Sequence, residues 1–433
     1  MTKVNPDVML GQNYTYRSIV SQHGILFVYS EATMADLELD FSLTSEEEQF
    51  RKEVQRFVAE EPPSKFPTQT ENECFGFGCW SYEFTRRVGQ KGWIGTTYPR
   101  EYGGLGLSPI YQFILNEELA YHKAPWAGHF FAYTVGQALI KKGTEAQKRS
   151  FLPRLASGEI QFWQALSEPD AGSDLLNCRT RAVLKGDRYC ITGQKTWGSR
   201  AHRANHAWLL ASTRPDLRQK GLSLFLVDMK TPGMTLRPIV NLAGDAAFYE
   251  LYLDSVEVPK ENLIGGENSA LQIVIPSLEA DRFWARSARI AYCRRVFDDL
   301  VGWAKQTRRQ DRPVSEDPVF RHGMTALAVD IEIARLLSLR TVYLMASGKA
   351  LTYEGSATKI TADELGRRIA VFARGIVGPA SLEADMPSCG DSDVNFGREY
   401  IYSIGHGLAG GTFEIQKNTI ATRGLGLPVV KAA

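Results

Sequence analysis

A chain of 433 residues, 44% hydrophobic and 23% charged, is long enough for two or three domains around large buried cores. Fifty basic side chains against 49 acidic ones leave no basic surface for nucleic acid and no acidic tail for a basic partner. The longest apolar runs, Gly24–Tyr29 and Leu222–Val227, are too short to cross a bilayer, so no membrane partner is expected.

Residues 1–38 show no period and lack the basic start and apolar centre of a signal peptide, and Asp7 and Glu31 speak against a transit peptide. They read as an N-terminal extension. Thr44-Ser45-Glu46-Glu47 is a capping box, and Phe50, Val54, Phe57 and Val58 follow at helical spacing, which predicts a helix to about Glu61. Pro62-Pro63 ends it. Helices are expected over 81–91, 109–122, 127–142 and 145–156, making 39–158 an α-helical N-terminal domain. From Glu159 the pattern shortens: Arg181–Leu184, Tyr189–Ile191, Ala207–Ser212, Leu222–Asp228 and Phe248–Leu253 are β-rich runs separated by Gly, Asp and Pro clusters. A small antiparallel β domain over 159–266 follows. Helical period then returns over Leu271–Gln306, with a break or start expected at Pro276. Further helices over Pro318–Ser347, Ser356–Val377 and Gln416–Leu425 make 267–433 a helical bundle. The class is therefore α+β.

Cys74, Cys79, Cys178, Cys190, Cys293 and Cys389 are scattered, with no Cys-x-x-Cys pair and no nearby His to complete a metal site. That usage fits a reducing compartment and a cytoplasmic location. His202-x-x-x-His206 has ligand spacing, but Arg203 stands where a zinc protease has glutamate, and both histidines read as surface residues.

Three motifs carry the chemistry. Gln164-Ala-Leu-Ser-Glu-Pro-Asp-Ala-Gly-Ser-Asp174 places Pro169 where a ladder would stop, then Ala171-Gly172-Ser173, small enough for a ligand to approach the backbone. The hydroxyls of Ser167 and Ser173 bracket the turn as donors and acceptors. Gly193-Gln-Lys-Thr-Trp-Gly-Ser199 and Gly410-Gly-Thr-Phe-Glu-Ile-Gln416 follow in order. Together they resemble the flavin-binding signature of the acyl-CoA dehydrogenase family, over about residues 40–430. Val258–Gly265 fits the family's turn after its last strand, and Arg312–Arg321 resembles a bacterial branch that includes enzymes shortening sterol side chains. Met34-Ala35-Asp36-Leu37 resembles a family start.

The resemblance implies an N-terminal helical domain, a middle antiparallel β-barrel, a C-terminal four-helix bundle, and FAD. It places Leu166 and Ser167 at the flavin's pyrimidine edge, Gly172 and Ser173 by the pyrophosphates, and Trp197 and Ser199 against the ring. Thr412 and Glu414 would bind the adenosine half, and Arg308 the FAD of a neighbouring subunit. Phe413, Lys417, Gln310-Asp311 and Gly375-x-x-Gly378-Pro379 depart from the family pattern. The fingerprint Gly405-x-Gly407-x-x-Gly410 lacks a βαβ unit around it and carries no weight.

Family chemistry removes a proton from the carbon beside a thioester and a hydride from the next carbon, delivered to flavin N5. The weakly acidic α-proton requires a carboxylate base and donors on the thioester oxygen. The family's commonest glutamate position is Gly410 here, which retains only its backbone N–H for that oxygen. A second family position corresponds to Asp281-Arg282, making Asp281 the first choice of base and Arg282 a substrate contact. The alternatives are Glu279, which a helix would turn away from Asp281, and Glu101. Asp281 could also be a surface residue paired with Arg282 or Arg286. The expected partners are an acyl-CoA, branched or cyclic to judge by Phe283 and Trp284, and an electron-transfer flavoprotein, in a homotetramer or dimer. Two other readings keep the fold: a different elimination or an O2-using monooxygenase, and a partner subunit of a heteromeric dehydrogenase.

Overall fold

The computed structural model describes residues 17–21, 24–28, 41–66, 80–125, 130–382 and 395–429. Met34–Leu37, Cys74, Cys79, Cys389 and the expected helical residues 127–129 lie outside them. Within the N-terminal extension, β1 (Arg17–Ser21) and β2 (Gly24–Val28) pair antiparallel from Arg17↔Val28 to Ser21↔Gly24. Two five-residue strands are too short to announce themselves by period.

The capping box is present. Thr44 Oγ1 accepts from Glu47 N while Glu47 accepts from Thr44 N, and α1 (Ser45–Glu60) follows with Phe50, Val54, Phe57 and Val58 buried. Four more helices complete the block: α2 (Tyr82–Gln90), α3 (Pro109–Tyr121), α4 (Phe130–Lys142) and α5 (Glu145–Ala156). A loop between α2 and α3 contains short 3-10 turns at Trp93–Gly95 and Arg100–Tyr102.

The middle block is a seven-stranded sheet of β3 (Phe162–Ala165), β4 (Arg181–Lys185), β5 (Arg188–Lys195), β6 (His206–Ser212), β7 (Leu222–Asp228), β8 (Met234–Ile239) and β9 (Phe248–Pro259). Its order is β3-β6-β4-β5-β9-β8, with β7 also paired to β6. It is not wholly antiparallel: β3 runs parallel to β6 in register from Phe162↔His206 to Ala165↔Leu209, and β4 meets β6 in parallel at Arg181↔Ser212. Parallel pairing follows from β3 and β6 being joined by long chain rather than a tight turn. On β9 one extra residue opposite Ile191–Gly193 forms a bulge, with Ser255 at φ +53°.

Helix α6 (Ala270–Gln306) runs 37 residues straight through Pro276. Pro276 is therefore neither start nor break; it lies in the second turn on the exposed side, where one missing N–H is tolerated. A small hairpin, β10 (Arg308–Arg309) and β11 (Arg312–Pro313), leads to α7 (Pro318–Ala346), α8 (Glu354–Val377), α9 (Phe396–His406) and α10 (Phe413–Thr419). Three buried clusters hold the molecule. One joins α1–α5 to Leu166, Phe283 and Trp284, a second fills the α6–α9 bundle, and a third underlies the sheet around Trp163, Ile191 and Phe225. The first cluster seats the end of β3 against the middle of α6.

Candidate functional site

The loop after β3 is shaped by one buried carboxylate. Glu168 accepts from Lys195 Nζ at 2.8 Å, Thr180 Oγ1 at 2.6 Å, Thr180 N at 3.0 Å and Arg179 N at 2.6 Å. Lys195 is wholly buried and also donates to Leu166 O at 3.1 Å. Burial alone would push the Glu168 carboxyl up, but the Lys195 charge and these donors outweigh it and hold it well below the ordinary range, at about 2. Thr196 N donates to Ser167 O at 3.0 Å, tying the motif at 164–174 to that at 193–199.

On this frame Leu166 is buried in the first core cluster with its carbonyl on Lys195, while the other predicted flavin residues of these two motifs reach the surface. Gly172 and Ser173 are exposed, Ser167 and Ser199 are half-buried, and none of the three serine hydroxyls has a partner among the described residues. A Cβ built on Gly172 would meet no protein atom within 4 Å, so the chain's own packing does not require glycine there. Trp197 is 60% exposed with φ +61°, an outlier for a bulky residue and the kind of strain that collects at ligand sites. Its only ring neighbour among the described residues is Phe248, edge-on at 6.0 Å. An exposed aromatic, free hydroxyls and an open glycine fit the flat ring and phosphates of FAD.

The second half lies on the bundle. Thr412 caps α10, its hydroxyl accepting from Ile415 N, and Glu414 projects to solvent beside it. Before them, Gly410 and Gly411 take φ of +70° and +95°. Gly411 favours glycine because its φ of +95° strains any L side chain, and a Cβ there would also press on Gln416 Nε2 at 2.5 Å. Gln416, buried, donates to Gly410 O at 3.2 Å and Gly411 O at 3.1 Å. Gly410 N–H has no acceptor among the described residues.

Asp281 faces α4, where Thr134 Oγ1 donates to its Oδ1 at 3.0 Å. It forms no ion pair among the described residues, so the surface pairing with Arg282 or Arg286 does not occur. Arg282 binds Glu279 at 2.8 Å and Gly410 O at 3.3 Å, and Arg286 lies 2.8 Å from Asp363. Burial pushes the Asp281 carboxyl up to about 6, against the opposing pull of Thr134, Arg286 and Arg282. Glu279 is occupied on both oxygens, by Arg282 and by Ser356 N at 3.2 Å, and Glu101 is exposed on a 3-10 turn.

Phe283 and Trp284 are core residues, packed on Phe113 and Tyr133. The surface expectation for the two histidines is not met: His202 and His206 are half-buried rather than exposed, their rings tilted against Tyr249 and Phe162. Arg308 is exposed on the β10–β11 hairpin, beyond the far end of α6 from Asp281, a separation of roughly 40 Å at 1.5 Å per residue. The expectation for Arg308 concerns the FAD of a neighbouring subunit, and within this chain it stands apart from the other site residues. Sequence reasoning missed Thr134, Arg286 and Asp363, whose partners lie on other helices. Lys195 was legible in principle, since a lysine beside a signature glutamate in a β domain needs a carboxylate once buried.

A helical block, a β block with an aromatic-rimmed cradle and a helical bundle bearing a half-buried carboxylate together define a flavin-dependent class of oxidoreductase. Domain profiles described as acyl-CoA dehydrogenase N-terminal, middle and C-terminal domains match residues 44–159, 164–256 and 271–425. The chain belongs to the acyl-CoA dehydrogenase family. It is 31% identical over 393 residues to acyl-CoA dehydrogenase IpdE1 of Mycobacterium tuberculosis (strain ATCC 25618 / H37Rv), spanning 88% of this chain and 98% of that one. A solved structure described as a Tcur3481-Tcur3483 steroid ACAD superposes with a TM-score of 0.79 at 28% identity, covering 90% of this chain and 100% of that one. A glutaryl-coenzyme A dehydrogenase in complex with glutaryl-CoA gives 0.78 at 27%, covering 90% and 98%.

Proposed function

We propose that the chain binds FAD and desaturates an acyl-CoA thioester between its α and β carbons. Leu166, Ser167, Gly172, Ser173, Trp197 and Ser199 would hold the flavin and pyrophosphate, and Thr412 and Glu414 the adenosine half. When bound, FAD supplies the acceptor for the hydride leaving the β carbon. Asp281 takes the α-proton onto its free carboxylate oxygen, and the Gly410 N–H donates to the thioester oxygen as negative charge develops there. The observation that carries this reading is Asp281 itself: a carboxylate without a cation partner among the described residues, oriented by Thr134 and raised to about 6, so that it is ionised yet basic near neutral pH.

The placement of Arg308 supports an oligomer in which one subunit's hairpin reaches another's FAD, with a homotetramer as the proposed form. Electrons are proposed to leave to an electron-transfer flavoprotein. The steroid description of one solved relative supports a bulky acyl group.

Anaerobic titration of the FAD-loaded protein with a panel of acyl-CoAs, including a steroid side-chain thioester and glutaryl-CoA, tests the proposal. At least one should bleach the flavin, and Asp281→Asn should slow that bleaching by roughly 10^2- to 10^4-fold. Bleaching by no member would sink dehydrogenation, and unchanged bleaching in the variant would remove Asp281 as base.

A further inference from the structure

The loop His406–Gly411 is pinned from below by side chains that no motif singles out. Asp363 on α8 is fully buried, and its two oxygens clamp two cations: Arg286 Nε lies 2.8 Å from Oδ1, and Lys359 Nζ donates to Oδ2 at 2.7 Å. Each cation then donates to a carbonyl of the loop. Arg286 Nη2 reaches Ala409 O at 3.0 Å, and Lys359 Nζ reaches His406 O at 3.3 Å.

Ala409 C=O and Gly410 N–H belong to the same peptide group. A trans peptide is planar, so its carbonyl and its N–H point in opposite directions. Drawing Ala409 O down onto Arg286 therefore turns the Gly410 N–H up and out of the bundle. There it has no acceptor among the described residues, and Gly410 is exposed. The next peptide is fixed separately, with Gly410 O taken by Arg282 and Gln416. A loop with two glycines at positive φ has other conformations open to it, so this orientation depends on the donors beneath.

We propose that Arg286, held by Asp363, is a positioning residue that aims the Gly410 N–H at the thioester oxygen. This rests on the proposed function, in which that N–H is the donor. Arg286 is buried beneath the loop, and its proposed action passes through one peptide plane. Arg286 meets Asp363 with Nε and Ala409 O with Nη2, two nitrogens of one rigid planar guanidinium, and a lysine at this position lacks that planar fork.

The test uses FAD-loaded protein and the 2-enoyl-CoA made from the panel's fastest substrate, labelled with 13C at the thioester carbonyl. Infrared difference spectra read the carbonyl stretch, which falls in frequency when a donor polarises the oxygen. Arg286→Met leaves Asp363 paired with Lys359, so the buried carboxylate keeps a cation, and Arg286→Lys keeps the charge. Both variants should retain FAD and bind the enoyl-CoA, lose most of the carbonyl shift, and turn over roughly 100-fold more slowly, with kcat falling rather than KM rising. Asp281→Asn should keep the full shift while losing turnover. If the wild type shows the shift and both Arg286 variants keep it, the inference is wrong while the proposed function stands. If no panel member perturbs the wild-type flavin, the proposed function falls and takes the inference with it.

Discussion

Replacing Lys195 with methionine tests what shapes the loop under the proposed flavin. The side chain is wholly buried, and its ammonium serves Glu168 Oε1 and Leu166 O. A carboxyl lowered from 4.5 to about 2 is stabilised in its charged form by about 3 kcal/mol. The folded value lies below the unfolded one, so this stability is fully present above about pH 4.5 and is lost as pH falls towards 2. Methionine keeps the apolar stem and removes the cation. The Thr180 and Arg179 donors then face the burial of Glu168 alone, its carboxyl rises, and the stability it contributes above pH 4.5 shrinks; once the folded value passes the unfolded one, acidification stabilises the variant instead of weakening it. Stripping one partner from a buried pair costs about 3–5 kcal/mol. Urea unfolding of the FAD-free protein at pH 7 and pH 5 reads that loss, and the flavin-to-protein absorbance ratio reads cofactor retention. A double variant with Glu168→Gln should recover much of the stability, since no buried charge is left unpaired. A Lys195→Met protein within about 1 kcal/mol of wild type that still holds FAD would refute the claim that this pair shapes the loop.

Thr134→Val removes the donor to Asp281. The ascending limb of kcat/KM, expected near pH 6 because the base must be ionised, should move to higher pH, while Thr134→Ser leaves it in place. Trp197→Ala should change the stability of the FAD-free protein by no more than about 0.5 kcal/mol, because the side chain is mostly exposed. In the same variant FAD affinity, followed by fluorescence titration, should weaken roughly tenfold through loss of a ring contact. Gly411→Ala puts a methyl against Gln416 at a φ of +95° and should cost about 1–3 kcal/mol in thermal or urea unfolding, with turnover reduced because Gly410 shares the loop.

Much of this was legible because it is local. Capping residues, apolar spacing and turn formers lie within a few positions of one another, so α1, α3, α5, α7 and α8 fall within two residues of expectation. Within the middle sheet the strands missed were β3, inside the signature motif where polar Gln164 breaks the pattern, and β8, an edge strand carrying Arg237 and Pro238. Helix α6 shows the limit of a local rule: Pro276 argues for a break, and the exposed second turn absorbs it. The site divides in the same way. Ser167, Gly172 and Ser173 lie in the loop after β3 and Trp197 just past β5, tied to that loop through Thr196, so all four could be named from two short motifs. Asp281 finds Thr134 on α4, and Arg286 finds Asp363 on α8, through packing that no single stretch encodes.

The charges around Gly410 explain how a glycine can stand where the family's commonest base stands. Arg282, Arg286 and Lys359 surround the loop, and Glu279 and Asp363 answer two of them. A Cβ on Gly410 would lie 3.6 Å from Arg286 Nη2 and 3.7 Å from Lys359 Cε, so a carboxylate placed there would be drawn into these cations. The third balancing charge is the ionised Asp281, on the same helix as both arginines. On the proposed chemistry, the α-proton that Asp281 accepts cancels that charge while negative charge develops on the thioester oxygen beside Gly410. The field of the three cations is then answered by the developing oxyanion, and the cluster's net charge is unchanged across the step. Charges already fixed by the fold contribute to lowering a barrier where they answer charge that develops in the reaction.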